Sequence, residues 1–366
     1  MTSLKSELLI DPSIIQENIL HIKNLLPKNS KFMAVIKSDA YGHIMENLIK
    51  TIDNHVDGYG TVRIEEAIRI RNKSNKKILL MTGVYSNKDL ELAKKHNFDL
   101  VVHNQTQFNL IQENDYYKNL WFKVNTGMNR LGFEEQDFLD IYNKNLQDKK
   151  IVLMSHMASS SDPKKHSNQE QLSRFNNIAN QLDGAFEKSI ANTGCIFNFP
   201  EHCYDWVRCG IGIFGGYAGS HQLKTAMTLR SPIVDIRKIK KGDSVGYDGR
   251  ALAQSDMRIA TVYIGYADGL AQNLKDGTLV HVNNKPAKIF GKVSMDLTTI
   301  DVTNHEDCKI GDFCEIFSPE SSINNVSIPN DLISYDLMIR IKSRVEKKYI
   351  IKKVQETMTK NLIFCR

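Results

Sequence analysis

A lysine closes the apolar run "KFMAVIK", residues 31–37, and the turn-forming "SDAYG" follows it. Lys37 either reaches into water or offers an amine to a site, and the local pattern fits both. Polar residues end later apolar runs in the same way. "LWFKVN" (120–125) brings Lys123 and Asn125, with Arg130 in the next loop, and "IVLMSHM" (151–157) brings Ser155 and His156. "KSIAN" (188–192) leads to Asn192, Thr193 and Gly194, and "VRCGIGIFG" (207–215) carries Arg208, Gly210, Ile211 and Gly212. Small residues with free backbone N–H groups suit a phosphate. A lysine facing a phosphate site points to a Schiff base with pyridoxal phosphate.

These residues meet only if the strands that carry them converge. Further apolar runs at 58–62, 77–83 and 98–103 bring the number of strand-then-helix units to about eight within some 210 residues. The helical stretches show 3.6-residue periodicity, as in "IEEAIRIRNK", or an apparent Asn cap, as in "NKDLELAKKH". Apolar runs without alternation fit parallel strands covered on both faces. The predicted class is α/β: an N-terminal (β/α)8 barrel over residues 10–220, with an open doubly wound sheet as the alternative. In a barrel, chemistry sits at the strand ends, where the candidates lie. After about residue 220 the pattern becomes β-like, with Gly-Asp and Asn-Asn-Lys-Pro turn signals. A mostly β C-terminal domain is predicted over 221–366 together with residues 1–9, and the N-terminal "SELLID" (6–11) is expected to pair with it. Helical periodicity returns only at 329–341.

At 366 residues the chain is long enough for two domains. The formal charge of +6 is mild and the basic residues form no long run, so nucleic-acid binding is not indicated. No window is apolar enough to span a bilayer, and "MTSLKSELLIDPS" reaches Asp and Pro too early for a signal peptide. None of the six cysteines forms a C-x-x-C pair and no histidine cluster has zinc spacing. The expectation is a reduced, cytoplasmic protein with no membrane partner and no metal.

"AVIKSDAYGH" resembles the pyridoxal-phosphate signature of alanine racemases. The similarity continues in order through "KVNTGMNRLG", "SHMASS", "ANTG", "VRCGIGIFG", "IGYADGL" and "GKVSMDLTTIDV". The resemblance implies a barrel followed by a β domain, and a head-to-tail homodimer whose two active sites are each shared between the chains. It implies that Lys37 holds the cofactor as an internal aldimine and serves as one base, while Tyr266 of the partner subunit is the opposed base. A tyrosine near pKa 10 needs cations to act so, and the resemblance offers His156 and Arg130. Arg208 would face the pyridine nitrogen, where it can only donate, so the ring stays neutral and side reactions are suppressed. Arg130 would orient the substrate carboxylate. Lys123 matches a lysine that is carbamylated in some members. Tyr41, Thr193, Gly210 and Ile211 would hold the phosphate. Met295 and Asp296 would narrow the partner's pocket around a small amino acid.

The chain departs from the family at Ala271, Gln272 and Leu297, and Ser343 stands where many members carry a phosphate-binding tyrosine before an Arg-Val pair. The implied activity is interconversion of L- and D-alanine, feeding peptidoglycan synthesis in a bacterium. Racemisation of serine or a basic amino acid on the same scaffold is an alternative. A non-catalytic pyridoxal-phosphate barrel is disfavoured by "GYADGL", and a decarboxylase by missing cysteine and acidic signatures.

Overall fold

The fold comes from a computed structural model that describes residues 5–220 and 222–350. The ends of the expected β domain, 1–4 and 351–366, and with them Cys365, lie outside the described residues.

Eight parallel strands form the first sheet: β2 (Lys31–Val35), β3 (Gly58–Thr61), β4 (Lys77–Leu80), β5 (Asp99–Val102), β6 (Leu120–Lys123), β7 (Ile151–Met154), β8 (Glu187–Ser189) and β9 (Trp206–Cys209). They pair in sequence order, and β9 returns to pair with β2. The Arg208 amide reaches the Ala191 carbonyl (2.9 Å) and Ser189 Oγ reaches the Trp206 carbonyl (2.9 Å), closing the gap between β8 and β9. Strand order never reverses, which excludes the doubly wound alternative. Met33, Leu79, Val101, Trp121, Val152, Met154 and Trp206 fill the barrel interior. The outward residues of the same strands join the larger core under the helices. Strands buried on both faces explain the unbroken apolar runs.

The C-terminal sheet contains β10 (Met227–Ile239), β13 (Met257–Val262), β14 (Leu279–Val282), β15 (Lys285–Ile289), β16 (Thr298–Asp301) and β17 (Phe313–Phe317). The small ribbon of β11 (Ser244–Val245) and β12 (Ala251–Leu252) stands apart. Long β10 pairs with β17 through Leu229–Pro232 and with β13 through Ile233–Ile239, so a register shift closes these six strands on themselves. β1 (Glu7–Ile10) joins β10 antiparallel, as expected of "SELLID", and β18 (Glu346–Tyr349) joins β1 in parallel.

Three local expectations need correction. "VRCGIGIFG" is strand only to Cys209. Glycines 210, 212 and 215 turn the chain, with Ile213 N bonded to Gly210 O (3.0 Å) and Gly215 at φ 73°. The helix Asn87–His96 is capped by Ser86, not Asn87, because the extended Ser86 lets its hydroxyl accept the Asp89 amide (3.1 Å). Of the helical segment expected at 329–341, only Ser334–Ile339 is α-helix; Pro329 lies in the single 3-10 turn Ile328–Asn330, which Asp331 at φ 55° ends.

Candidate active site

A cavity of about 450 Å³ opens at the C-terminal mouth of the barrel. Lys37 and Tyr41 enter it from the end of β2, Lys123 and Arg130 from β6 and its loop, and His156 from just past β7. Thr193, Arg208, Gly210 and Ile211 complete its far wall. No carboxylate lines the cavity, although four cationic side chains do.

Lys37 sits where β2 gives way to an unusual turn. Ser38, Asp39, Ala40 and Tyr41 all have φ between 52° and 56°, a left-handed helical turn ended by Gly42 at φ 84°. For non-glycine residues this costs about 1–2 kcal/mol each and persists only where surrounding contacts enforce it. The turn leaves Lys37 at the pocket edge and buries Tyr41. Burial, and then Arg130, hold the Lys37 amine below its usual pKa. Lys123 is drawn down to about 8 by burial and by Arg208 and Arg130. His156 is pushed well below its usual value, chiefly by burial and Arg208, and is neutral at pH 7.

Arg208 is buried and its guanidinium is largely fixed. Nη1 donates to Ser189 Oγ (2.5 Å) and Nη2 to the Ser155 carbonyl (2.6 Å), with His156 Nδ1 at 3.4 Å from Nη2. The arginine can only donate, so His156 Nδ1 accepts and Nε2 carries the proton. Arg208 Nε is buried without a protein acceptor. A buried donor left this way costs stability unless a ligand accepts from it, as a pyridine nitrogen does.

The glycines form the opposite part of the cradle. A Cβ at Gly210 would stand 2.7 Å from Tyr41 Oη, and one at Gly194 2.6 Å from Ser160 Oγ. Burial raises the Tyr41 and Tyr335 phenols, which are therefore neutral donors. The residues thus fit a phosphorylated aromatic aldehyde: Arg208 would donate to its ring nitrogen, Lys37 would bond its aldehyde carbon, and Tyr41 with the glycine-rich loops would hold its phosphate.

Tyr335 was missed as a site residue. The C-terminal helix Ser334–Ile339 docks on the barrel, with Ser334 Oγ on the Gly216 carbonyl (2.6 Å), and sets the Tyr335 ring 5.8 Å from that of Tyr41. The tyrosine sought beside Ser343 is therefore nine positions ahead of Arg344, in "SYDLMI". An aromatic on a short helix beyond the β strands was the available signal.

Tyr266, Met295 and Asp296 are not in this cavity. The Tyr266 amide bonds Ser294 O (3.1 Å) and the Ala267 amide bonds Met295 O (2.9 Å), which joins the two turns. Gly265 permits this approach, since a Cβ there would lie 2.3 Å from two carbonyl oxygens. Tyr263, Tyr266, Met295 and Leu297 are all exposed on that surface. Asp296 is held by Arg344 (2.7 Å), which also lies 3.4 Å from Asp268.

A closed (β/α)8 barrel with a lysine after its first strand and a cationic mouth, joined to an antiparallel β domain that returns a tyrosine, defines a class of barrel built to hold a phosphorylated aldehyde cofactor. The signature described as alanine racemase, N-terminal domain, matches residues 10–218, and that of the C-terminal domain matches residues 226–349. The alanine racemase of Shewanella denitrificans is 34% identical over 352 residues, covering 92% of this chain and 96% of its own length. The structure of alanine racemase from Acinetobacter baumannii superposes with a TM-score of 0.90 at 30% identity, over 95% of this chain and all of that one. That of alanine racemase from Bartonella henselae with covalently bound pyridoxal phosphate superposes at 0.86 and 25% identity, over the same shares. The chain belongs to the alanine racemase family.

Proposed function

We propose that the chain interconverts L- and D-alanine, with pyridoxal phosphate anchored on Lys37. The observation that carries this reading is the carboxylate-free cationic cavity, in which Lys37 faces a glycine cradle and the free Arg208 Nε. Bound pyridoxal phosphate supplies an electron sink that acidifies the substrate α-C–H. Lys37, with its lowered pKa, takes or returns a proton at the α-carbon on one face. The partner subunit's Tyr266 does so on the other. The exposure of Tyr266 outside its own chain's cavity supports a head-to-tail homodimer, as does the apolar surface around it. His156, through its Nε2–H, and Arg130 offer donors to the phenol oxygen when it enters.

Arg130, exposed at the rim with no ion-pair partner among the described residues, orients the substrate carboxylate. Arg208 donates to the ring nitrogen and keeps it neutral. Tyr41, Thr193, Gly210, Ile211 and Tyr335 hold the phosphate. The partner's Met295 and the partner's Asp296 narrow the pocket. Lys123 carries a carbamate: its neutral amine adds to CO2 and releases one proton, and the resulting anion steadies Arg130.

The proposed setting is the cytoplasm of a bacterium that needs D-alanine for peptidoglycan. The five described cysteines are free and buried, and no helix of the described residues is long and apolar enough to cross a membrane. The test is α-hydrogen exchange in heavy water across the L-amino acids. Alanine should exchange fastest and lose optical rotation; faster exchange of serine or lysine would displace alanine as the substrate.

A further inference from the structure

The left-handed turn after Lys37 is unstable by itself, and the residues that enforce it lie outside the cavity. Asp39, at the centre of the turn, is held at both its backbone and its carboxylate. Its amide donates to Glu66 Oε1 (3.2 Å), and its Oδ1 accepts from Arg69 Nη2 (2.8 Å). Glu66 and Arg69 are three residues apart on the helix Ile64–Arg71, so they share one face. Glu66 is steadied in turn by the Thr61 hydroxyl on β3. Arg69 is fixed by Glu46, which accepts from Nε (2.6 Å) and Nη2 (2.9 Å). Asp39 Oδ1 also receives the Met45 amide (3.2 Å), so one oxygen links the turn to the helix Met45–Ile52.

The exit of the turn is held from the other domain. Lys347 Nζ donates to the Gly42 carbonyl (3.1 Å), and the Tyr349 hydroxyl reaches the carbonyls of His43 and Ile44. The His43 ring bonds back to the Ala40 carbonyl (3.0 Å) and stacks on Phe214.

We propose that Arg69 is a positioning residue for the reaction: by bridging Asp39 and Glu46 it holds the left-handed turn that aims Lys37 and Tyr41 into one cavity. This rests on the reading of Lys37 as the cofactor lysine. Lys37 precedes the turn and Tyr41 is its last left-handed residue before Gly42, so relaxation to right-handed or extended backbone re-aims the amine and the phosphate-side phenol together. A misplacement of about 1 Å is enough to cost roughly 100-fold in rate.

The test uses the full chain carrying Arg69→Gln or Arg69→Lys. In Arg69→Gln, amide hydrogen exchange over residues 38–44 should quicken about 10-fold or more while the other barrel strands keep their protection. The dissociation constant for pyridoxal phosphate should rise about 10- to 100-fold, and kcat for alanine should fall more than KM rises. Arg69→Lys should restore part of each. Unchanged protection at 38–44 with unchanged cofactor affinity would overturn the proposal, as would equal loss of protection across the whole barrel. If Arg69→Gln does not fold, Asp39→Asn, which keeps an acceptor for the Met45 amide, is read by the same criteria. A wild type that binds the cofactor without racemising alanine would sink the assigned activity alone, and exchange and affinity would still decide the role of Arg69.

Discussion

The two ends of the barrel treat charge in opposite ways. At the base, Lys31, Lys77, Asp99 and Glu187 each have a charged partner at fixed geometry. Lys77 meets Asp99 (2.9 Å), whose same carboxylate receives the Trp121 indole N–H (2.8 Å). Lys31 meets Glu187 (2.6 Å), which receives the Trp206 indole N–H (2.6 Å). The two indoles lie 5.6 Å apart and close the floor. At the mouth, Lys37, Lys123, Arg130, Arg208 and His156 share one cavity with no carboxylate. Charges at the base are satisfied within the fold, whereas unmatched cations at the mouth cost stability and are set to receive an anionic ligand.

Substitutions should divide along the same line. The largest effect is expected for Lys37→Ala, which should remove the visible absorbance of bound cofactor and lower activity about 10⁴-fold without lowering the melting temperature of the apo-protein. A comparable loss of melting temperature would erase the contrast between mouth and base. Asp99→Asn should do the reverse. It leaves Lys77 without its anion and should cost about 1–3 kcal/mol in denaturant unfolding at unchanged kcat. A kcat that falls with stability would show the base to be part of the site.

Acid sharpens the comparison next. Burial depresses His43, behind the mouth, to about 3, and His156 is depressed for the same chief reason. A depressed folded-state pKa gives stability that is present above the unfolded value near 6.5 and is lost as pH falls. His43 alone should therefore remove about 2 kcal/mol from the apo-protein between pH 6.5 and 5. Asp99 runs the other way: burial raises its pKa, so its cost appears as pH rises above the unfolded carboxylate value. Apo-protein melting should fall from pH 7 to 5, with a shallower slope in His156→Asn. Equal slopes in the wild type and His156→Asn would exclude His156 as a contributor. The smallest effect is expected at Lys123. CO2-free buffer should lower kcat up to about tenfold in the wild type and leave Lys123→Ala unchanged. Insensitivity of the wild type would exclude a functional carbamate.

Much of the architecture was legible because it rests on burial. Strands covered on both faces leave uninterrupted apolar runs, and those runs placed eight barrel strands and the residues at their ends. What escaped was set by tertiary contact. Ser38 and Ala40 have no propensity for left-handed backbone and Asp39 only a modest one, and the contacts that hold it come from Arg69, Glu66 and Glu46 and from the C-terminal Lys347 and Tyr349. Tyr335 sits on a six-residue helix whose docking depends on Gly216. Tyr266 was legible as a motif, and the fold of one chain places it outside the Lys37 cavity.

The pairing of β1 between β10 and β18 has a consequence for biogenesis. Glu7 lies beside Glu346 in the same sheet, so a strand made before the barrel belongs to a layer completed by the last one described. The barrel can mature during translation, but Leu8 and Ile10 stay without their final neighbour until residue 349 emerges. Nascent chains stalled before that point should present an open sheet edge to chaperones.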